Sequence, residues 1–312
     1  MVDKYRNTVR LLVNKGVILN LRKRKAQDIT NEQEPDIDAE QSRLWLVHSR
    51  MPLVLVYEHW EKSRALRKPS NSHDDIKNVY DFLNYWPILK QSDSYTLVDL
   101  DFKDFYPDSY LALLSKWEQI KAKLIPILKR DVKDKSVIAS LDLLPTTEGA
   151  GHDLIVLRAI AGVCLPTNRV NKSSVIKPWK PSIKESQDGF ILHVKQPGDI
   201  KPSIAIRTAK FQSLKRQVQP FVIAVGPTLS SLDKFYVYIC SPPGTENRIV
   251  MYELDSLLKA VDICFKVFFC MSLEYGKDSE QLWNFLQKGV YNITTKYDNS
   301  FPSVNDLLLR LK

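Results

Sequence analysis

Three short apolar runs decide the fold: PFVIAVGP at residues 220–227, FYVYIC at 235–240 and IVMYE at 249–253. Each run is rich in β-branched and aromatic residues, which predicts a strand. Two apolar stretches with helical spacing follow, at 254–271 and 278–293. The strands are too apolar to lie on an open surface. We therefore predict a small sheet packed against two or three helices.

The helix predicted over 254–271 carries one charged stripe. Its residues Asp255, Lys259, Asp262 and Lys266 are spaced four, three and four apart, so they lie on one side of a helix. Acid-before-base pairs at this spacing stabilise an exposed helix by a few tenths of a kcal/mol each. We expect this stripe to face water and the other sides to be buried.

The last predicted helix, 278–293, begins with a capping-box pattern. Asp278 is followed three residues later by Gln281, a spacing at which each side chain can bond to the backbone of the other. Gly289 lies on its apolar face. We expect this glycine to let the helices 278–293 and 254–271 approach closely.

The stretch before these elements predicts one more strand and one more helix. GFILHVK at 189–195 has strand character, and 200–216 has helical spacing. The basic residues of this helix are expected to face water: Lys201, Arg207, Lys210, Lys215 and Arg216. The order β-α-β-β-β-α-α predicts a mixed α+β domain.

The first half of the chain is predicted to be mostly helical. Pro52 predicts a break within 41–67, and Pro126 predicts a kink or an end in the helix over 108–130. Asp74 or Asp75 is positioned to cap the helix that follows it. The predicted organisation is a basic and acidic flexible segment at 1–40, a helical domain at 41–165, a basic proline-rich linker at 166–188 and the α+β domain at 189–312.

Composition narrows the possible functions. Only 10 of the 312 residues are glycine, about half the usual share of ~7%. This argues against the glycine-rich loops that hold nucleotide phosphates, so we expect no cofactor. The four cysteines, in apolar surroundings and without metal-ligand spacing, are expected to be reduced and buried. No apolar stretch is long enough to span a membrane. The chain start lacks a signal-peptide pattern, which predicts an intracellular protein in the nucleus or the cytoplasm.

Positive charge is concentrated in two windows. Residues 1–30 hold eight Lys or Arg and two acidic residues, a net charge of +6, and residues 165–216 hold eleven and three, a net charge of +8. Such windows attract phosphate backbones or acidic proteins. Trp179 within KPWKP could stack on bases or could pack back onto the core. The candidate nucleic-acid-binding residues are Arg22, Lys23, Arg24, Lys25, Lys177, Trp179, Lys180, Lys210, Lys215 and Arg216.

A catalytic site is weakly indicated at one place only. If Tyr95–Phe105 forms a strand, Asp99 and Asp101 project to one face, as metal-binding carboxylates do in phosphodiesterases. The simpler interpretation is a half-exposed strand with Val98, Leu100 and Phe102 inward and the acids in water. The five histidines are scattered, and we identify no hydrolase, zinc-protease or P-loop motif. We therefore predict no catalytic and no metal-binding residues.

Several segments resemble a poorly characterised, multicopy animal family, some of whose members are labelled sterile-alpha-motif-domain-containing-protein-three-like. The similar segments include YWPIL at 85–89, LVDLDF at 97–102, KPWKPS at 177–182, QPFVIAVGP at 219–227 and WNFLQK at 283–288. The resemblance covers residues from about 40 to 300 and implies no active site. It implies descent from a mobile element, but this chain has neither the sterile alpha motif pattern nor the zinc finger of related members.

The preferred hypothesis is a non-enzymatic intracellular module that binds an unidentified protein partner. The alternative is a nucleic-acid-associated protein of mobile-element origin that contacts DNA or RNA phosphates through the two basic windows. Salt dependence separates the two hypotheses, because binding through six or so Lys or Arg weakens by orders of magnitude as salt rises. The oligomeric state is left open.

Overall fold

The computed structural model describes residues 37–67, 78–170, 178–240 and 249–311. The chain forms two compact units, each made of three separate stretches. Unit 1 comprises Met1–Phe105, Ile239–Tyr252 and Lys266–Glu274. Unit 2 comprises Tyr106–Tyr238, Glu253–Phe265 and Tyr275–Lys312.

The first half of the described chain is mostly helical, as predicted. Its α-helices are α1 Ile37–His48, α2 Leu53–Lys62, α3 Arg64–Arg67, α4 Val79–Tyr85, α5 Tyr95–Phe105, α6 Ala112–Asp131, α7 Lys135–Leu141 and α8 Gly149–Ala159. Short 3-10 turns lie at Pro87–Lys90, Pro107–Ser109, Leu144–Thr146 and Ile160–Gly162. Pro52 stands at the N-cap of α2, so the predicted break there is confirmed. Asp74 and Asp75 lie outside the described residues, and the N-cap of α4 is Asn78, whose side chain accepts from the Asp81 amide.

The second half combines a sheet with helices, so the prediction of an α+β fold is confirmed. Its elements are α9 Ile183–Phe190, β1 Ile191–Val194, α10 Ile200–Ser213, β2 Phe221–Val225, β3 Lys234–Cys240, β4 Val250–Leu254, α11 Leu257–Cys270, α12 Glu280–Phe285 and α13 Pro302–Leu311. A 3-10 turn at Pro197–Asp199 precedes α10, and a π-helical turn at Leu286–Val290 follows α12. The sheet order is β1-β2-β3-β4, with β1 parallel to β2 and β2 antiparallel to β3.

The three apolar runs form β2, β3 and β4, as the sequence predicts. Every residue of β2 is buried, which is the pattern of a strand covered on both faces. The predicted strand at 189–195 is shorter than expected, because α9 extends through Gly189 and Phe190. The physical reason lies at the start of α9, where Ser182 and Glu185 form a complete capping box that favours a helix over this stretch.

Helix α11 is buried on all sides over its second half, which corrects the prediction of a water-facing charged stripe. Asp262 and Lys266 are both fully buried. The Tyr291 hydroxyl donates to Asp262 at 2.8 Å, and the Lys266 ammonium donates to Asp99 Oδ1 at 2.5 Å. Both charges therefore bind groups on other segments, and Asp262 also lies 3.5 Å from the Lys259 ammonium on the same helix.

The predicted capping box at 278–281 is also wrong. The N-cap of α12 is Ser279, whose side chain makes no capping hydrogen bond. Asp278 instead forms an ion pair with Arg207 at 2.5 Å. Its approach requires Gly189, because a Cβ there would lie 2.5 Å from the Asp278 carboxyl carbon.

Two further expectations about single residues are tested, the partner of Gly289 and the end of a helix at Pro126, and both are wrong. A Cβ on Gly289 would lie 2.6 Å from Leu308 Cδ2, so this glycine admits α13 and not the helix at 254–271. Pro126 lies inside α6 without ending it. Its ring is exposed, while Leu124, Ile127 and Leu128 beside it are buried, and this packing outweighs the one backbone hydrogen bond that proline removes.

Candidate functional sites

The acidic stretch at 99–104 does not form a shared carboxylate site. Tyr95–Phe105 is a helix, so the interpretation of this stretch as a strand is wrong. Residues two apart on a helix are separated by roughly 200° around its axis, which sends Asp99 and Asp101 in different directions. Leu100, expected to point inward, is 40% exposed.

Asp101 lies in a buried ion pair with Arg67. Two guanidinium nitrogens donate to its carboxylate, Nε at 2.7 Å and Nη2 at 2.9 Å. The guanidinium lies 3.5 Å from the centre of the Trp60 ring and also donates to Ser63. Burial raises the pKa of the Asp101 carboxyl, and Arg67 opposes that shift. Because each of its oxygens already accepts from arginine, this carboxylate is poorly suited to hold a metal.

Asp99 and Asp104 have separate partners. The first binds Lys266, whose side chain is fully buried, and the second binds Arg64 at 2.7 Å in a half-exposed pair. Within the described part of the chain, no group of three or more His, Cys, Asp or Glu side chains is arranged to hold a metal ion. The geometry required of a two-carboxylate phosphodiesterase is therefore missing at this place.

The two predicted basic windows are only partly described. Arg22, Lys23, Arg24 and Lys25 of the first window and Lys177 of the second lie outside the described residues. Trp179 is half-buried. Its backbone forms a two-way bridge with Val170, at 2.9 and 2.8 Å, and its ring meets Phe211 edge-on with centroids 5.8 Å apart. Trp179 therefore packs back onto α10, which leaves part of its ring for an outside contact.

Two of the expected surface cations on α10 bind acids within unit 2. Arg207, expected to face water, has a side chain only 13% exposed and pairs with Asp278. Its guanidinium also lies 4.9 Å from the centre of the Phe221 ring. Lys210 pairs with Glu185 of α9 and lies 4.9 Å from the Trp179 ring centre. The positive charge available to a ligand is thus smaller than the sequence count indicates.

The C-terminal end of α10 presents cations outward. The Arg216 amide donates to the Phe211 carbonyl at 2.9 Å, and the Lys215 amide donates to the Gln212 carbonyl at 2.8 Å. This is the Schellman pattern of a helix end, and it requires a left-handed residue, here Lys215 at φ 55°. Lys215 is exposed, Arg216 is half-buried, and Lys180 beside Trp179 is exposed. These side chains, with Trp179, form the basic end of α10.

Helix α2 has apolar residues on both of its sides. Val56 and Trp60, one turn apart, are each 2% exposed. Leu53, 47% exposed, and Tyr57, 38% exposed, flank this buried side, and Val54, 67% exposed, lies on the far side of the helix. An ordinary surface helix places polar residues on its outer face. We call the outer set, with Met51 at 70% exposure, the α2 apolar surface.

Two apolar residues on neighbouring helices of unit 1 are also exposed. Leu44 of α1 is 47% exposed and Leu100 of α5 is 40% exposed. The Tyr57 hydroxyl donates to Thr96 at 3.5 Å, and Thr96 lies one helical turn from Leu100 on α5. The α2 apolar surface therefore continues toward α5. No single sequence signal marked it, because Leu53, Val54 and Val56 look alike in an apolar run.

The four cysteines and His193 are ionisable groups whose pKa values are affected by burial. All four cysteines are buried and free, as expected, and burial raises the pKa of Cys164 to about 12. His193 lies in β1, and its Nε2 is 2.8 Å from the Gly226 carbonyl. Burial lowers the pKa of this imidazole.

Comparison of the chain with protein-family models, curated proteins and solved structures found no match. The resemblance to the multicopy animal family therefore stays a prediction. In the described residues, no helix has both the length and the apolar character needed to cross a bilayer.

Proposed function

We propose that this chain is an interaction module that acts by binding a protein partner inside the cell. The observation that carries the proposal is the α2 apolar surface, where Val54 is 67% exposed and Met51, just before the helix, is 70% exposed. Exposed apolar residues that are scattered singly are normal, whereas a contiguous set marks a binding surface.

The shape of the surface indicates the kind of partner. Leu53, Val54 and Tyr57 lie within about 100° around the axis of a single helix, so the surface they form is convex. A partner helix can pack its own apolar ridge against such a stripe at an interaxial distance of about 8–10 Å. We therefore propose a partner that presents an apolar helix face.

The test is site-specific photo-crosslinking in cells, with a photoreactive amino acid in place of Val54. The matched control carries the same amino acid in place of Ile206, an isoleucine of α10 that is 73% exposed. The expected result is a discrete crosslinked product from position 54 that is lost on Tyr57→Glu and absent from position 206. Equal products from both positions, or none from position 54, would overturn the proposal.

A second candidate function is nucleic-acid binding by the basic end of α10. The observation that favours it is the exposure of Lys180, which follows the half-buried Trp179, and of Lys215, which lies four residues after the Phe211 that the indole contacts. A phosphate contact by each lysine and stacking of one base on the remaining edge of the indole would match the modes known for single strands. Under this second proposal, the chain is a nucleic-acid-associated protein that descends from a mobile element.

Salt titration tests this second candidate. Each phosphate contact contributes about 0.7 to the slope of log K against log salt for a single strand. The double variant Lys180→Ala, Lys215→Ala should therefore lower that slope by about 1.4. Lys129→Ala, at an exposed position on α6, is the control. Unchanged salt dependence in the double variant, or no binding by the wild-type chain, would exclude this candidate.

A further inference from the structure

A cleft of about 570 Å³ lies in unit 2, between α6, the π-helical turn and α13. Its volume falls in the range of roughly 300–1,000 Å³ that is usual for small-molecule sites. Helix α6 contributes Ile120 and Lys123, the π-helical turn contributes Lys288, and α13 contributes Leu308. The cleft therefore has apolar residues and cations contributed by different elements.

The charge of the lining residues has a single sign. Lys123 and Lys288 are the charged residues among them, and no carboxylate belongs to the set. The Lys123 ammonium donates to the Leu311 carbonyl at 2.8 Å, and the Lys288 ammonium donates to the Asn299 carbonyl at 3.4 Å. Both bonds go to neutral carbonyl oxygens, and each ammonium has further donor hydrogens.

The backbone beside the cleft has two uncommon conformations. Leu286–Val290 is a π-helical turn, a form that is rare and often found at functional sites. Asn292, which follows it and also lines the cleft, has a left-handed φ of 54°. The π-helical turn and Asn292 end the regular geometry of α12 at the place where Lys288 and Gly289 line the cleft.

The apolar part of the cleft is formed by side chains that water solvates poorly. Ile120 and Leu308 are half-buried, and Leu309 is 66% exposed. Covering these side chains would stabilise a complex by about 25 cal/mol for each Å² of apolar area removed from water. A ligand that matches this cleft carries one negative charge and an apolar body.

We propose that this cleft binds a small apolar monocarboxylate, with the carboxylate between the ammonium groups of Lys123 and Lys288. Its apolar chain lies along Ile120 and Leu308, and the amides of Asn292 and Asn305 supply further donors. This site is separate from the α2 apolar surface and does not depend on the proposed function. Val54→Glu should leave it unchanged.

Calorimetric titration of the full chain with decanoate tests the proposal, and decanol is the neutral ligand of the same chain length. We expect one decanoate site and at least tenfold weaker binding of decanol. Lys288→Ala and Lys123→Ala should each weaken decanoate binding at least tenfold, and Lys288→Arg should retain it. Lys129→Ala, on α6 but outside the cleft, should leave the affinity within twofold.

Three results would overturn the proposal. These are the absence of decanoate binding, equal affinity for decanol, and an affinity that falls as much in Lys129→Ala as in Lys288→Ala. Thermal unfolding of each variant without ligand establishes that it is folded. Lys288 and Lys123 are half-buried and exposed, respectively, so neither substitution removes a buried contact.

Discussion

In the sequence, the acidic stretch of α5 and the basic end of α10 are both clusters of charged residues that could form a functional site. In the structure, the acids pair with cations of the same protein, whereas lysines of the basic end are exposed. In α5, Asp101 is bound by Arg67, and their side chains are 5% and 1% exposed. In the basic end of α10, Lys180 and Lys215 are exposed to water. A charge held by a buried partner specifies the fold, whereas an outward charge is available to a ligand. The two regions therefore differ in function because of how deeply their charges are buried, and not because one is acidic and the other basic.

Removing the buried acid of α5 should have the largest effect. Asp101→Ala leaves the Arg67 guanidinium buried without its carboxylate, which costs about 3–5 kcal/mol. Asp104, also on α5, forms a half-exposed pair with Arg64 of α3, and Asp104→Ala should cost at most about 1 kcal/mol. Urea unfolding followed by circular dichroism measures both. Similar losses for the two variants would show that burial of the ion pair does not set the cost of removing its acid.

The second test uses the ion pair between Arg207 and Asp278. Arg207 belongs to the basic helix α10, yet its side chain is only 13% exposed. In Gly189→Ala the new Cβ would lie 2.5–2.7 Å from the Asp278 carboxyl group and would displace it from Arg207. We expect a loss of about 1–3 kcal/mol.

Gly198→Ala is the matched control, because a Cβ there meets nothing within 4 Å. It should be neutral or should stabilise by up to about 1 kcal/mol. Chemical denaturation of both variants gives the comparison. A neutral Gly189→Ala would show that Asp278 does not require this approach.

The buried lysine of α11 gives a third test. Lys266→Met keeps the apolar stem but leaves Asp99, which is 17% exposed, without its ammonium partner. We expect a loss of about 1–3 kcal/mol. Lys201→Met, at an exposed position on α10, should stay within about 0.5 kcal/mol of wild type. A stabilised Lys266→Met would mean that desolvation of the lysine outweighs its ion pair.

The outward-pointing Lys215 should show a smaller effect of opposite sign. Its left-handed backbone costs a side-chain-bearing residue about 1 kcal/mol relative to glycine. Lys215→Gly should therefore raise the free energy of unfolding by up to that amount while removing one surface cation. Thermal unfolding measures the gain. A destabilised variant would show that the lysine side chain makes a contact that matters to the fold.

The smallest expected effect is a pH dependence from His193. Burial holds its pKa below the ordinary value of 6.5, so the folded state disfavours the protonated imidazole. The associated stability is fully present above pH 6.5 and is lost as the pH falls through the folded pKa. His193→Gln should reduce this acid-side slope in urea midpoints measured from pH 7.5 to 5. An unchanged slope would assign the pH dependence to other groups.

Local sequence determined a large part of the fold. The apolar runs at 220–227, 235–240 and 249–253 formed strands, because continuous β-branched and aromatic residues suit a strand covered on both faces. Helical spacing likewise predicted α6, α10 and α11. The apolar neighbours of the four cysteines predicted that these side chains are buried and free, which is what the structure has.

Only the tertiary structure decided where each charge goes. Tyr95–Phe105 alternates like a strand, yet it forms α5 because Leu97, Val98 and Phe102 are buried together on one side of a helix. Lys266 looked like a surface residue until Asp99, 167 residues earlier in the chain, was placed 2.5 Å from its ammonium. The physical reason is that sequence periodicity reports a side chain's direction on its own element. Whether water or a distant partner lies in that direction depends on the packing of the whole chain.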